Sequence, residues 1–285
     1  EEKRDMIHHV PPQQPVQLEL RMAQVKLKDH VVVCGWSSTA AGIISELHAE
    51  HGNERRQVVL IDEKLESSPV DDPYVYFVKG DPTSDETLER ADIGSACTAL
   101  VLADWTISDL SLRDAKTTLI TMAIEDHNGD VYTVVELMRP ENRRHLERAN
   151  ADEAVCVTDL SKRLLVHAAM NHGLSRFFTD ILAFDEGSEI YKIPSPTAFN
   201  GVSFRTAVRH ASDRFEAIIM GIERDLKIHC NPVNEFLLEP GDYLFVLSED
   251  DPAELQALEG KLEDEAGTGD NATSSEPDVK VHKEA

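Results

Sequence analysis

Short apolar runs alternate with stretches of helical periodicity along most of the chain. His30–Cys34 is apolar almost throughout and reads as a buried strand. Behind it Ala40, Ala41, Ile43, Ile44 and Leu47 fall on one helical face, and Gly52-Asn53 stops that helix. Further apolar runs at Gln57–Ile61, Tyr74–Val78, Thr98–Ala103, Val131–Val135 and Ala154–Val157 read as strands. Helical segments fall between them: one opening after Thr83-Ser84, one around Ala115–Glu125, and one from Pro140-Glu141 to Ala149. Strands this apolar are covered on both faces, which predicts a parallel sheet in an α/β unit.

The first strand runs into Gly35-Trp36-Ser37-Ser38-Thr39 and then into a helix. A strand, a glycine turn and a helix start are the opening of a Rossmann-like, doubly wound sheet. The unpaired N–H groups of such a helix start suit an anion. A dinucleotide fingerprint G-x-G-x-x-G has three glycines, and here Ser37 and Ala40 stand at the second and third. Gly35, Trp36, Ser37, Ser38 and Thr39 are therefore candidates for holding an adenine nucleotide, NAD or another anion. Asp62, at the tip of the second strand, is the candidate acceptor for ribose hydroxyls. In the competing reading Trp36 fills the phosphate space and only the fold is kept. The near match of Gly35–Thr39 to a nucleophile elbow carries little, because that elbow follows a late strand.

Beyond the sheet, Leu160–Met170 carries a stripe of Leu164, Leu165, Ala168 and Ala169. Leu174–Phe184 follows with Leu174, Phe177, Phe178, Ile181 and Leu182, wide and rich in phenylalanine. Such a face covers the domain or forms a dimer seam, and Leu174, Phe177, Phe178 and Ile181 are the candidate interface. A small α+β unit comes next: a start at Glu189–Pro194, a short helix at Phe204–Val208, and strands at Phe215–Ile222, Lys227–Cys230 and Tyr243–Leu247. Leu255 and Leu258 end a last short helix. The expected layout is a linker over 1–28, a Rossmann-like domain over 29–158, crossover and dimerisation helices over 159–187, a small C-terminal domain over 188–260, and a disordered acidic tail over 261–285.

Charge narrows the partners. With 28 basic and 53 acidic residues the formal net charge is -25, which argues against nucleic acid, whose phosphates need surplus Lys and Arg. The four cysteines are far apart and form no C-x-x-C, which points to a reducing compartment without disulfides. No stretch approaches the roughly 20 apolar residues that span a bilayer. The twelve histidines show no zinc spacing. Asp81, Asp104, Asp109, Asp114 and Glu136 all fall at or after strand ends, where doubly wound folds bind ligands. Several carboxylates together suit a hard cation such as calcium, with Asp81, Asp104, Asp109 and Glu136 as candidate ligands. Asp81 and Asp104 are equally candidates for a nucleotide site. The competing reading is a set of solvated acids on an acidic protein.

Taken in order, Val31–Ser37, Asp62, Gly80-Asp81-Pro82-Thr83, two crossover helices, and Pro194, Gly201 and Leu238-Glu239-Pro240-Gly241-Asp242 resemble an RCK module (regulator of conductance of potassium; the TrkA-N and TrkA-C pair) of prokaryotic potassium channels. The likeness runs from about Asp29 to Pro252. It implies a non-enzymatic, ligand-sensing gating ring on the cytoplasmic side of the membrane, partnered with a channel pore. Homodimers would form through the crossover helices and assemble into a higher ring, taken as an octamer. The Pro-rich residues 1–28 would then be a linker from a pore. The resemblance implies calcium at Asp81 and an acidic loop matching 104–114, although that loop differs here in length. Two alternatives stay open: a soluble potassium-uptake subunit binding NAD(H) or an adenine nucleotide, and an NAD-dependent oxidoreductase, for which the C-terminal unit offers no clear acid or base.

Overall fold

The computed structural model describes residues 25–49, 55–182 and 187–260. The expected linker up to residue 24, the Gly52-Asn53 stop and the tail over 261–285 lie outside the described residues. The chain divides into two units near residues 180–186.

The first unit holds six strands: β1 (His30–Cys34), β2 (Val58–Asp62), β3 (Val75–Lys79), β4 (Ala96–Val101), β5 (Tyr132–Leu137) and β6 (Glu153–Cys156). All neighbours are parallel, in the order β3-β2-β1-β4-β5-β6. This is the doubly wound Rossmann-like arrangement, with its order reversing beside β1. Strand period two sends Val31 and Val33 to one face and Val32 and Cys34 to the other. On the first face they meet Ala40 and Ile44 of α1 (Ser38–Ala49). On the second they meet Leu88 of α2 (Asp85–Arg90) and Ile120 and Ile124 of α3 (Leu110–His127). Each such side chain contributes about 1.5–3 kcal/mol of burial, so the central strands anchor the unit. Ala41, expected on the inner face of α1, is exposed, because that face is narrower than its apolar pattern.

α3 begins five residues before the expected start at Ala115. The Asp109 carboxylate caps it, accepting from the N–H groups of Ser111 at 2.8 Å and Leu112 at 3.0 Å. After β5, Pro140–Asn142 forms a tight 3₁₀ turn and α4 (Arg143–Arg148) follows. α5 (Val157–Met170) and α6 (Leu174–Leu182) bury none of their residues in this single chain.

The second unit is α+β. β7 (Glu189–Pro194), β8 (Ile218–Arg224), β9 (Lys227–Cys230) and β10 (Tyr243–Ser248) form an antiparallel sheet in the order β7-β10-β8-β9. Phe199, Phe204, Ile222, Leu238 and Leu244 fill its core. α7 (Phe204–Phe215) is longer than the expected Phe204–Val208, and the strand expected from Phe215 begins at Ile218. The boundary is Glu216, at φ 53° in the left-handed region, which ends the helix without glycine. Gly221 is required where β8 meets β9, because a Cβ there would come within 2.8 Å of the His229 carbonyl oxygen. α8 (Ala253–Gln256) completes the unit.

Candidate functional site

A cleft of about 180 Å³ opens at the C-terminal ends of β1, β2 and β4. It lies beside the point where the strand order reverses, the usual ligand position of this architecture. Gly35 makes the turn out of β1 at φ +99°, a region that L side chains rarely adopt. Its N–H donates to the Ile61 carbonyl at 2.9 Å, and the Cys34 carbonyl accepts from Leu102 N–H at 3.0 Å. These bonds tie the floor of the cleft to both neighbouring strands.

Trp36 follows in the wall of the cleft and packs on the apolar layer under α1. Ser37 caps α1 from just outside it, its hydroxyl accepting from Ala40 N–H at 3.3 Å. Ser38 and Thr39 open the helix and are exposed. Gly35 and Trp36 therefore belong to the cleft lining, while Ser37, Ser38 and Thr39 form the helix start next to it.

Asp62 is buried and spends its carboxylate on the backbone. One oxygen accepts from Trp36 N–H at 3.0 Å; the other accepts from Lys64 and Leu65 N–H at 2.8 and 2.9 Å. Asp62, expected to take ribose hydroxyls, lines the cleft and also fastens the β1 and β2 turns together, with one acceptor position left on Oδ2.

The acids expected to gather around a cation each have a separate task. Asp81 is exposed, closing its own turn by accepting from the N–H and hydroxyl of Thr83 at 2.9 and 2.8 Å. Asp109 caps α3. Asp114 is buried and accepts from Met138 N–H, Arg139 N–H and Asn142 Nδ2 at 2.8, 3.0 and 2.8 Å, which fixes the exit of β5. Glu136 is buried, accepts from Ala103 N–H at 2.8 Å, and has its carboxyl pushed up by that burial. Among the described residues no group of three or more His, Cys, Asp or Glu is placed to hold a metal ion. The four-acid set of Asp81, Asp104, Asp109 and Glu136 is thus not brought together, because three of its members are spent on backbone N–H groups of different loops.

Asp104 alone of that set lines the cleft, and it faces cations. Its Oδ2 takes the Lys64 ammonium at 2.6 Å and the Lys116 ammonium at 3.1 Å. Its Oδ1 takes the N–H and hydroxyl of Thr106 at 3.0 and 2.6 Å. Burial alone would raise this carboxyl, but the bonds from Lys64, Thr106 and Lys116 outweigh it and hold the group well below the usual carboxylate range. Lys116 also reaches Glu63 at 2.6 Å, and Lys64 reaches the Thr106 hydroxyl at 2.7 Å. Burial would lower the Lys116 ammonium, but its bonds to Glu63 and Asp104 raise it. A chain of ion pairs thus crosses the mouth of the cleft from the loop after β2 to the loop after β4 and to α3.

Lys64, Lys116, Glu63 and Thr106 are the site residues that sequence reasoning missed. Lys116 did carry a signal: it is the only lysine between Lys79 and Lys162, in the helix expected around Ala115–Glu125.

The family model described as "Calcium-activated potassium channel slowpoke-like RCK domain" matches residues 26–135. A second, "Castor and Pollux, part of voltage-gated ion channel", matches residues 158–262. The calcium-gated potassium channel TvoK of Thermoplasma volcanium is 27% identical over 239 residues, which are 82% of this chain and 66% of the channel. Potassium channel protein 1 of Methanocaldococcus jannaschii is 26% identical over 223 residues, covering 77% of this chain and 63% of that protein. The chain therefore spans just under two thirds of the length of these relatives. The human SLO3 gating ring superimposes with a TM-score of 0.62 at 18% identity, over 78% of this chain and 44% of that chain, which is a likeness of fold.

Proposed function

We propose that this chain, which carries an RCK domain over residues 26–135, is the ligand-sensing regulatory module of a potassium channel, acting on the cytoplasmic side of the membrane. The observation that carries this reading is the tandem of channel-derived family matches along one chain, with relatives that are themselves potassium channels. A ligand regulates only if it binds one conformation more tightly than another. The cleft suits that requirement, because its wall is built from three separate segments joined by ion pairs rather than by one rigid element. We read the chain as a regulator and not an enzyme.

The module acts as a homodimer within a larger ring. Two unpartnered apolar faces support this. On α5 and α6, Leu165, Met170, Phe177, Phe178 and Leu182 are all exposed, and Leu174 and Ile181 are half-buried. On α3, Leu112, Leu119 and Met122 form a second exposed stripe beside Lys116. A helix that is apolar on opposite sides is ordinarily covered on both. The ring is taken as an octamer, which sedimentation measures directly.

The ligand read from the cleft is a small anionic molecule such as an adenine nucleotide. Calcium is the second reading, favoured by the calcium-gated relative. A thermal-shift titration tests both. A nucleotide shift lost in Trp36→Ala supports the cleft; a nucleotide shift that survives it contradicts the cleft. A calcium shift lost in Asp81→Ala supports the cation reading, and an unaltered shift removes Asp81 from it.

A further inference from the structure

We propose that Asp104 is a built-in substitute for the anionic group of the cleft's ligand, and that the Lys64 and Lys116 ammonium groups it holds are the receptor for a phosphate group. This rests on the reading of the cleft as the ligand site and names the chemistry at its mouth. Three elements meet there. Lys64 comes from the loop after β2, Lys116 from α3, and Asp104 from the loop after β4. Both ammonium groups converge on a single oxygen, Asp104 Oδ2, at 2.6 and 3.1 Å.

A single Asp104 oxygen is shared by two ammonium groups, so neither has an oxygen of its own there. Glu63 supplements it on the Lys116 side only. A phosphate monoester, with nearly two charges and three free oxygens, offers each ammonium its own oxygen. Lysine also suits this task, as a point charge with three rotatable donors on a flexible stem. The site is reachable: the Lys64 side chain is 49% exposed, and the cleft opens beside the Gly35-Trp36 turn.

Asp104 can leave without unfolding the site. Its other partner, Thr106, is two residues away in the same local turn and can swing out with it, so the contacts exchanged are those with the two lysines. The same arrangement disfavours a cation here, because two ammonium groups already neutralise the only carboxylate of the expected calcium set that lines the cleft. Asp104 therefore lowers the affinity for a phosphate ligand rather than contributing to it. A site that is free of its own carboxylate about one-tenth of the time binds about tenfold more weakly than an open one.

The test is calorimetric titration of the whole chain with AMP, inorganic phosphate and adenosine. Asp104→Asn is expected to tighten AMP and phosphate about tenfold. Lys64→Met and Lys116→Met are expected to weaken both at least tenfold and to leave adenosine unchanged. Phosphate alone binding as well as AMP assigns the recognition to the ion; AMP binding much better assigns part of it to the nucleoside, and the placeholder stands in both cases. AMP binding that is weakened or unmoved by Asp104→Asn overturns the proposal, as does phosphate binding that survives both lysine variants. Because Asp104→Asn could perturb its loop, the lysine variants provide an independent arm. AMP binding that is lost in Trp36→Ala but indifferent to Asp104, Lys64 and Lys116 leaves the cleft reading intact and removes only this inference. Absence of heat from every phosphate probe in every form overturns it as well, while the calcium titration still tests the regulatory reading separately.

Discussion

The guanidinium of Arg113 lies 4.6 Å from the ring centre of Trp105, and its N–H groups donate to the carbonyls of Trp105 and Ile107. Arg113 is buried at the start of α3, so the loop over 104–109 is wrapped around a cation of the helix it precedes. That loop carries Asp104 and Thr106 to the mouth of the cleft. Arg113 is therefore a positioning residue for the ion-pair chain, although it does not touch the cleft.

Arg113→Met keeps most of the volume and removes the donors and the charge. The loss of the bonds to Ile107, Trp105 and the Met138 sulfur and of one cation–π contact should cost about 2–3 kcal/mol. Chemical denaturation of the wild type and variant measures it. A change below about 0.5 kcal/mol, the range of ordinary surface substitutions, would mean that the loop is held by something else.

Phe177 and Phe178 meet edge to face at 6.0 Å on α6, and both are exposed in the single chain. Phe177→Asp with Phe178→Asp should lower the mass seen by light scattering if α5 and α6 form the dimer seam. An unchanged mass removes the seam from these helices. Leu119→Asp should leave the dimer intact and reduce only the larger assembly.

Asp242 is buried in the second unit and forms a paired contact with Arg224, at 2.7 Å from Nε to Oδ1 and 2.7 Å from Nη2 to Oδ2. Burial would raise its carboxyl, but Arg224 and the Glu239 N–H outweigh burial and lower it. A carboxyl lowered by folding contributes stability that is present above its unfolded value, near 3.9, and is lost as pH falls further. Asp242→Ala should cost about 2–3 kcal/mol at pH 7, because it removes the paired contact and the Glu239 N–H acceptor while Arg224 keeps Glu239 as a partner. Its stability should then fall less than that of the wild type between about pH 4 and pH 2. A variant whose stability falls as much as the wild type's would refute this assignment.

Glu125 has the opposite sign. Its carboxylate accepts from the buried Thr133 hydroxyl at 2.7 Å, and Asp152 approaches the same hydroxyl at 3.3 Å. Burial raises the Glu125 carboxyl, and the Asp152 charge raises it further, against the Thr133 bond. The folded state therefore binds its proton more readily than the unfolded chain. Stability is full below the unfolded value, near 4.3, and falls as pH rises through the higher folded value. Glu125→Gln should raise the melting temperature at pH 7, with the gain vanishing near pH 4. A gain independent of pH, or a loss at pH 7, would contradict the shared-hydroxyl account.

Most of the sheet was legible because buried parallel strands announce themselves as apolar runs, as His30–Cys34 and Val58–Ile61 do. The position of the cleft was legible too, from Gly35 and the strand ends. Helix starts were read less well where a polar cap and not an apolar residue sets them, as Asp109 does for α3. The roles of the acids were not legible. Asp62, Asp81 and Asp114 look alike in sequence, yet each is held by backbone N–H groups that only the loop geometry brings to it. Lys64 and Lys116 lie far apart in the chain and meet only through Asp104.

The most direct test of the regulatory reading is potassium flux through the reconstituted channel that contains this module. Flux should be measured with AMP or calcium added on the module's side, for the wild type and for Lys116→Met. The account predicts flux that changes with ligand in the wild type, with the AMP response lost in Lys116→Met. Flux indifferent to both ligands would contradict it, whereas an AMP response that Lys116→Met leaves whole would remove only the phosphate receptor at Lys64 and Lys116.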